Sequence, residues 1–248
     1  DADSNLTIMP VVDRTSSYEA FACFQHELVV AQDYLYHSMK QFWVDSLNAF
    51  VPNSFKRESV LLSPSLTNAP VRAIPLVVDC EDESVLRVKR LISGDTFEKI
   101  GRAAGVHNVT IAALMHSVWA LTYSSLVGSD DIVYGCTSSG RTVPHIQHPH
   151  QIIGPLINTL PLRFLLNDTN CCDVKDLPNY MQRSFVSYLE HESMPLTEIQ
   201  KAHNESLTNQ GLAPSKLALF SVIFDFQHNT WDCNLSAEQK TASLVLSD

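Results

Sequence analysis

The densest set of chemically capable side chains in the sequence is His145-Ile-Gln-His148-Pro-His150, three histidines within six residues. Imidazole nitrogens bind zinc or copper. A metal site usually draws ligands from separated segments, however, and no HExxH or Cys/His set lies nearby. A polar loop broken by Pro144 and Pro149 is the favoured reading, with no metal. Just upstream, Thr137-Ser-Ser-Gly-Arg141 follows directly on an apolar run. Glycine at the end of a strand allows a sharp turn or the close approach of a ligand, and Arg141 could pair with a carboxylate or phosphate. The segment lacks the glycine spacing and Lys-Ser/Thr ending of a phosphate loop, and GxSxG is absent. On pattern alone a structural turn is favoured over a ligand contact.

Asn158 and Thr159 follow Gly154-Pro155 and precede Pro161. Neutral hydrogen-bonding side chains at a strand start can orient a bound amide or thioester, and they are also ordinary turn residues; composition does not decide between these. His191 in His191-Glu-Ser-Met-Pro195 sits where a helix would end, which favours a structural role. His116, between Met115 and Trp119 on a very apolar stretch, reads as a buried histidine with its hydrogen bonds satisfied.

The elements that must position these residues can be read from periodicity. Phe21, Phe24, Leu28, Ala31, Leu35 and Met39 recur at helical spacing, which predicts helix from Tyr18 to about Ala49, capped by Ser16 or Ser17 and divided near Asp33–Tyr36. Residues 50–84 carry Pro52, Pro64, Pro70 and Pro75 and read as loop, with a short strand at Ile74–Val78. Val85–Ile92 alternates like a strand. Helices are expected from Thr96 to about Ala104 and, started by Asn108 or Thr110, over Ile111–Val127, closed by Gly128. Asp131–Ser139 reads as a strand and Gly140–Gln151 as a loop. Asn158–Leu166 reads as a strand that must tolerate Pro161 at an edge or bulge. Helices at about Lys175–His191 and Pro195–Lys201 follow, then a polar loop over 202–216. Leu217–Gln227 is the strongest strand pattern, and Ser243–Leu246 a weaker one. The sum is one α/β layer structure, helices packed on a mixed sheet.

Composition narrows the function classes. With 45% hydrophobic residues in 248, the chain can bury a sizeable core. A net charge of -10 and no basic cluster argue against nucleic acid. No stretch approaches the roughly 20 apolar residues of a membrane span. Cys23, Cys80, Cys136, Cys171, Cys172 and Cys233 form no CxxC pair and read as reduced thiols in a cytoplasmic protein. Asn5, Asn108, Asn167, Asn204 and Asn234 head N-x-S/T triplets, which would matter only on secretion. The chain opens on Asp1 and its first 17 residues are polar and mixed, suggesting a fragment, a processed chain or an excised domain.

The ordered set of motifs is more specific than any one of them. Val109–Leu126 followed by Gly128-Ser-Asp-Asp-Ile-Val-Tyr-Gly135, then Ser139-Gly-Arg141, then Ile153-Gly-Pro-Leu-Ile-Asn-Thr159 continuing through Arg163, resembles the condensation domains of nonribosomal peptide synthetases. Tyr188-Leu-Glu-His-Glu-Ser-Met-Pro-Leu196 and Phe220–Gln227 resemble later motifs of that family, and Tyr18–Phe21 an earlier one, weakly. The resemblance implies a fold like chloramphenicol acetyltransferase and places this chain as the C-terminal lobe of two. Residues 1–17 would be a linker from the first lobe. It implies a reaction in which an amine acceptor attacks a carrier-protein-bound acyl or peptidyl thioester and an amide forms. The partners implied are the N-terminal lobe and the donor and acceptor carrier proteins. No cofactor is bound directly; the substrates are phosphopantetheine-linked. The family's HHxxxDG motif supplies its key histidine, and this sequence has no two adjacent histidines. No catalytic residue is therefore carried over, and the chain is expected to be inactive alone. By resemblance, Ser139, Gly140, Arg141, Gly154, Asn158 and Thr159 are the substrate-tunnel contacts. Alternatives are a non-catalytic carrier-docking domain of the same fold, a peptide-cyclising or ester-forming relative, and an acyltransferase using coenzyme A or another thioester.

Overall fold

The computed structural model describes residues 17–52, 77–79, 87–89, 92, 94–143, 146, 148–166, 173–215 and 218–227. Helix α1 spans Tyr18–Ala31, and the Ser17 hydroxyl caps it by accepting from the Ala20 amide at 3.1 Å. Gln32 turns left-handed, and Asp33 then caps α2, Tyr34–Ser46, through its carboxylate on the Tyr36 amide. The expected division near Asp33 is thus a pair of caps. Helix α2 buries Tyr36, Met39 and Trp43, spaced at one helical turn.

Two short antiparallel strands follow, β1 at Val77–Asp79 and β2 at Arg87–Lys89. They fall on the two expected strand regions, of which residues 74–76, 85, 86, 90 and 91 lie outside the described residues. Helix α3 runs Gly94–His107, longer at both ends than expected. Helix α4, Ile111–Val127, has the expected bounds: Thr110 caps its start and left-handed Gly128 closes it. The Thr110 amide and hydroxyl both donate to Gln182 at 2.9 Å, which ties this cap to a later helix.

Strands β3 (Asp131–Ser138) and β4 (Asn158–Leu165) pair antiparallel over eight residues without a slip. Pro161, opposite Gly135, causes no bulge. Gly135 donates to Val222 at 2.8 Å and accepts from Phe224 at 2.9 Å, so its polar groups point away from β4. Pro161 therefore occupies a non-hydrogen-bonded pair, where a missing N–H costs the ladder nothing.

The run Leu217–Gln227, expected as the strongest strand, is instead a coil that meets β3 at one parallel bridge, Gly135–Ile223; Lys216 and Leu217 lie outside the described residues. A side chain at 135 would exclude it, because a Cβ there would meet Phe220 Cε2 at 2.5 Å and Ile223 Cγ1 at 2.9 Å. Leu219 and Val222 are buried against the sheet, so the apolar run reflects packing more than a ladder. That single bridge makes the sheet mixed. The weaker expected strand at Ser243–Leu246 lies outside the described residues.

A 3₁₀ turn at Val174–Asp176 leads into α5, Leu177–Glu190, and α6 spans Leu196–Asn209. Helix α6 overruns its expected end at Lys201 by two turns. Ile199, Ala202, His203 and Leu207 give it a buried face, while the polar outer face reads as loop in sequence. Helices α2, α4, α5 and α6 pack with the sheet around Trp43, Tyr134 and Phe164. Among the described residues no single helix is long and apolar enough to cross a membrane; α3 and α4 pass only as a pair bent by 100°.

Arg163 joins the sheet to the end of α2. Its Nε and Nη2 each donate to Asp131 at 2.8 Å, across the β3–β4 pair. Its Nη1 donates to the carbonyls of Ser46 and Asn48, and the guanidinium lies 5.6 Å from the Phe50 ring. A planar fork satisfies all of these at once; an ammonium does not. R163A is expected to destabilise the fold by about 2–3 kcal/mol, with R163K recovering less than half of that. Urea unfolding of the three proteins checks both.

Candidate functional site

The corner between α5 and α6 gathers the site. At a helix C-terminus the last carbonyls lack intrahelical partners. In the turn that follows Glu190, four consecutive carbonyls accept from side chains of other elements. The His191 carbonyl takes Trp43 Nε1 at 3.3 Å, Glu192 and Met194 both take Asn158 Nδ2 at 2.8 Å, and Ser193 takes Gln25 Nε2 at 2.9 Å. Helices α1 and α2 and strand β4 thus converge on one turn. The His191 ring stacks on Phe42 at 3.8 Å between centroids, and its Nδ1 donates to Ser187, which makes its role structural as expected.

The turn leaving β3 docks on the same corner. Glu192 is only 1% exposed. Its carboxylate accepts from the Ser138 hydroxyl and, at 2.6 Å, from the Thr142 amide. Gly140 donates to Ser138 Oγ at 3.4 Å, and its φ of 64° is the left-handed conformation that favours glycine. A Cβ at 140 would lie 1.7 Å from the Leu156 carbonyl oxygen, so the turn and residues 156–158 are in direct contact.

Arg141 closes the loop on itself. Its Nη1 donates to the carbonyls of Pro149 at 2.6 Å and Ile152 at 3.1 Å, and its Nη2 reaches Gly154 at 3.5 Å. Beneath lies a small core of Phe21, Val143, Ile146, Ile152 and Leu156. Tyr18 of α1 covers Gly154.

A pocket of about 150 Å³ opens between these parts, lined by Phe21, Gln25, Gly140, Val143, Leu156, Ile157, Asn158, Glu192, Ser193 and Pro195. Of the six residues expected from sequence, Gly140 and Asn158 line it. Arg141 and Gly154 lie in the loop behind it, Thr159 pairs with Thr137 in the ladder, and Ser139 is exposed beside it. Glu192 and Ser138 were not legible as site residues. Glu192 stands next to the singled-out His191, but no spacing rule marks a lone Glu as buried. Of the histidine-rich loop, His148 and His150 are exposed and His145 lies outside the described residues. Among the described residues no three metal-ligating side chains come together.

A second cluster resembles a nucleophile and base. His116 Nε2 lies 3.9 Å from Cys136 Sγ, and Nδ1 3.2 Å from the Tyr134 hydroxyl. Burial lowers the His116 pKa to about 3 and, with a smaller push from Asp225, raises the Cys136 thiol to about 12. Both are neutral near pH 7, so neither thiolate nor imidazolium is available. Phe185 and Phe224 meet the imidazole edge-on, in keeping with a core histidine.

The family model for the condensation domain matches residues 12–247. The chain belongs to the condensation-domain family. Nonribosomal peptide synthetase 5 of Gibberella zeae is 32% identical over 164 residues, 63% of this chain and 1% of that protein. Nonribosomal peptide synthetase opaA of Aspergillus ustus is 28% identical over 166 residues, 67% of this chain and 4% of that protein. The solved condensation domain from Monacolin K polyketide synthase MokA superposes with a TM-score of 0.59 at 15% identity, covering 94% of this chain and 49% of that one. The first condensation domain of the calcium-dependent antibiotic synthetase gives 0.53 at 13% identity, covering 82% and 38%. These likenesses carry the fold, and the expected α/β class, helices packed on a mixed sheet like chloramphenicol acetyltransferase, holds. The chain spans under half of each solved domain and a few per cent at most of each synthetase.

Two outcomes follow for this condensation-domain chain. G140A forces a left-handed alanine into the Leu156 carbonyl and is expected to cost at least about 2 kcal/mol, read by urea unfolding. His116 has a lower pKa folded than unfolded, where about 6.5 applies. Below pH 6.5 the unfolded chain takes up a proton that the folded chain refuses, so stability falls as pH falls. Between pH 6.5 and 5 this group should remove about 2 kcal/mol, at 1.4 kcal/mol per unit. H116L should lose that much less than wild type over the same interval.

Proposed function

We propose that this chain is the second lobe of a condensation domain of a nonribosomal peptide synthetase. In this reading it joins a carrier-protein-bound acyl or peptidyl thioester to an amine acceptor, with formation of an amide. The observation that carries it is the family match over residues 12–247, together with coverage of about half of the solved MokA domain. The sequence contains no HHxxxDG motif. The reading therefore assigns proton handling at the amine to a histidine of a first lobe. The second lobe supplies the wall against which the phosphopantetheine-linked substrates are held.

Gly140 and Asn158 support that role, since both line the pocket. Ser139, Arg141, Gly154 and Thr159 belong to the same wall in this reading, Ser139 as an exposed hydroxyl at its rim. Arg141 acts by shaping the loop, because its guanidinium is engaged by three carbonyls. The partners are the first lobe and the donor and acceptor carrier proteins, in a cytoplasmic synthetase.

A second reading is a non-catalytic docking domain for a carrier protein. It is favoured by one observation: the Arg141 and Asn158 donors point into the protein's own backbone. One experiment separates the two. The chain is assayed alone, and then joined to a condensation-domain first lobe that carries HHxxxDG, with an acyl-carrier donor and an aminoacyl-carrier acceptor. Amide is expected only from the joined lobes. Amide from the chain alone overturns the reading, and carrier binding without amide in the joined form favours the docking domain.

A further inference from the structure

The residue that organises this site lies inside the Tyr188–Leu196 motif, although nothing in that motif singles it out. Glu192 sits at the start of the α5–α6 corner, almost fully buried, with both carboxylate oxygens engaged on the turn that leaves β3. Among the described residues no basic side chain forms an ion pair with it. Among the described residues its carboxylate is met by a hydroxyl and a backbone amide. The two contacts lie on either side of Gly140, at Ser138 and Thr142, so they fix the turn at both ends. Its main-chain carbonyl meanwhile holds Asn158. One residue therefore sets the relative position of Gly140 and Asn158, the two expected site residues that line the pocket.

We propose that Glu192 is a positioning residue: its buried carboxylate, held by Ser138 and Thr142, sets the 139–143 turn against Asn158 and so fixes the pocket wall on which substrate is oriented. The substrate part rests on the function proposed above; the placement of the turn does not. The side chain acts through the turn and touches no reacting atom. Geometry is what it supplies, so a neutral isostere suffices. A glutamine can accept from Thr142 with its oxygen and donate to Ser138 with its nitrogen.

The test uses E192A and E192Q, with two readouts. In this chain, native-state hydrogen exchange of the Gly140 and Thr142 amides is expected to speed up at least about tenfold in E192A, while the β3 and β4 amides stay unchanged. E192Q should exchange like wild type. In the chain joined to a first lobe, E192A is expected to lower kcat about tenfold at an unchanged folded fraction, and E192Q to restore it. Several results overturn the proposal: an unmoved turn, exchange that rises equally across turn and ladder, E192Q as damaged as E192A, or a kcat that follows only the folded fraction. If E192A does not fold, S138A, which removes one of the two donors, carries the same readouts. If the wild-type joined lobes make no amide, the functional reading fails, and the exchange comparison alone decides whether Glu192 places the turn.

Discussion

The α5–α6 corner is where the demands of unsatisfied backbone groups are met. A turn between two helices leaves carbonyls without ladder partners, and burial makes each orphan costly. This protein answers with side chains from three other elements: Trp43, Gln25 and Asn158. The same corner carries the Glu192 carboxylate that receives the turn after β3. Hydrogen bonding there thus gathers α1, α2, β3 and β4, which are far apart in sequence. The pocket is the space left where those elements meet.

Apolar packing divides along the same line. The larger cluster fills the space between sheet and helices around Trp43, Tyr134 and Phe164, and it includes the neutral His116 neighbourhood. The smaller one lies under the 140–157 loop, with Phe21 of α1. Arg141 draws that loop together by three carbonyls. Among its described residues the loop thus has its own small core and its own internal clamp.

Much of this was legible in the sequence. Thr110 and Gly128 bracket α4 because capping chemistry is local. The β3–β4 pair follows from apolar runs of strand length. Helix α6 continues past Lys201 because Ala202, His203 and Leu207 extend its buried face, while the polar residues between them read as loop in sequence. Leu217–Gln227 carried the strongest strand pattern and forms one bridge, since β-branched and aromatic residues pack equally well without a ladder. Of the residues that resemblance points to, Gly140 and Asn158 line the pocket. What Arg141 binds was not legible: whether a guanidinium meets a ligand or its own loop depends on contacts across the fold. Glu192 illustrates the same limit, because its burial is created by Ser138 and Thr142, some 50 residues earlier.

Pro161 has a consequence outside the site. Strand β4 lies at the margin of its sheet, and among the described residues no strand pairs along its far side. Pro161 is nonetheless buried at the middle of that strand. Any other residue there would bury an amide donor with no strand among the described residues to receive it, and proline has no such donor. The residue that asks nothing of the β3 ladder therefore also leaves no orphan N–H on the far side of β4.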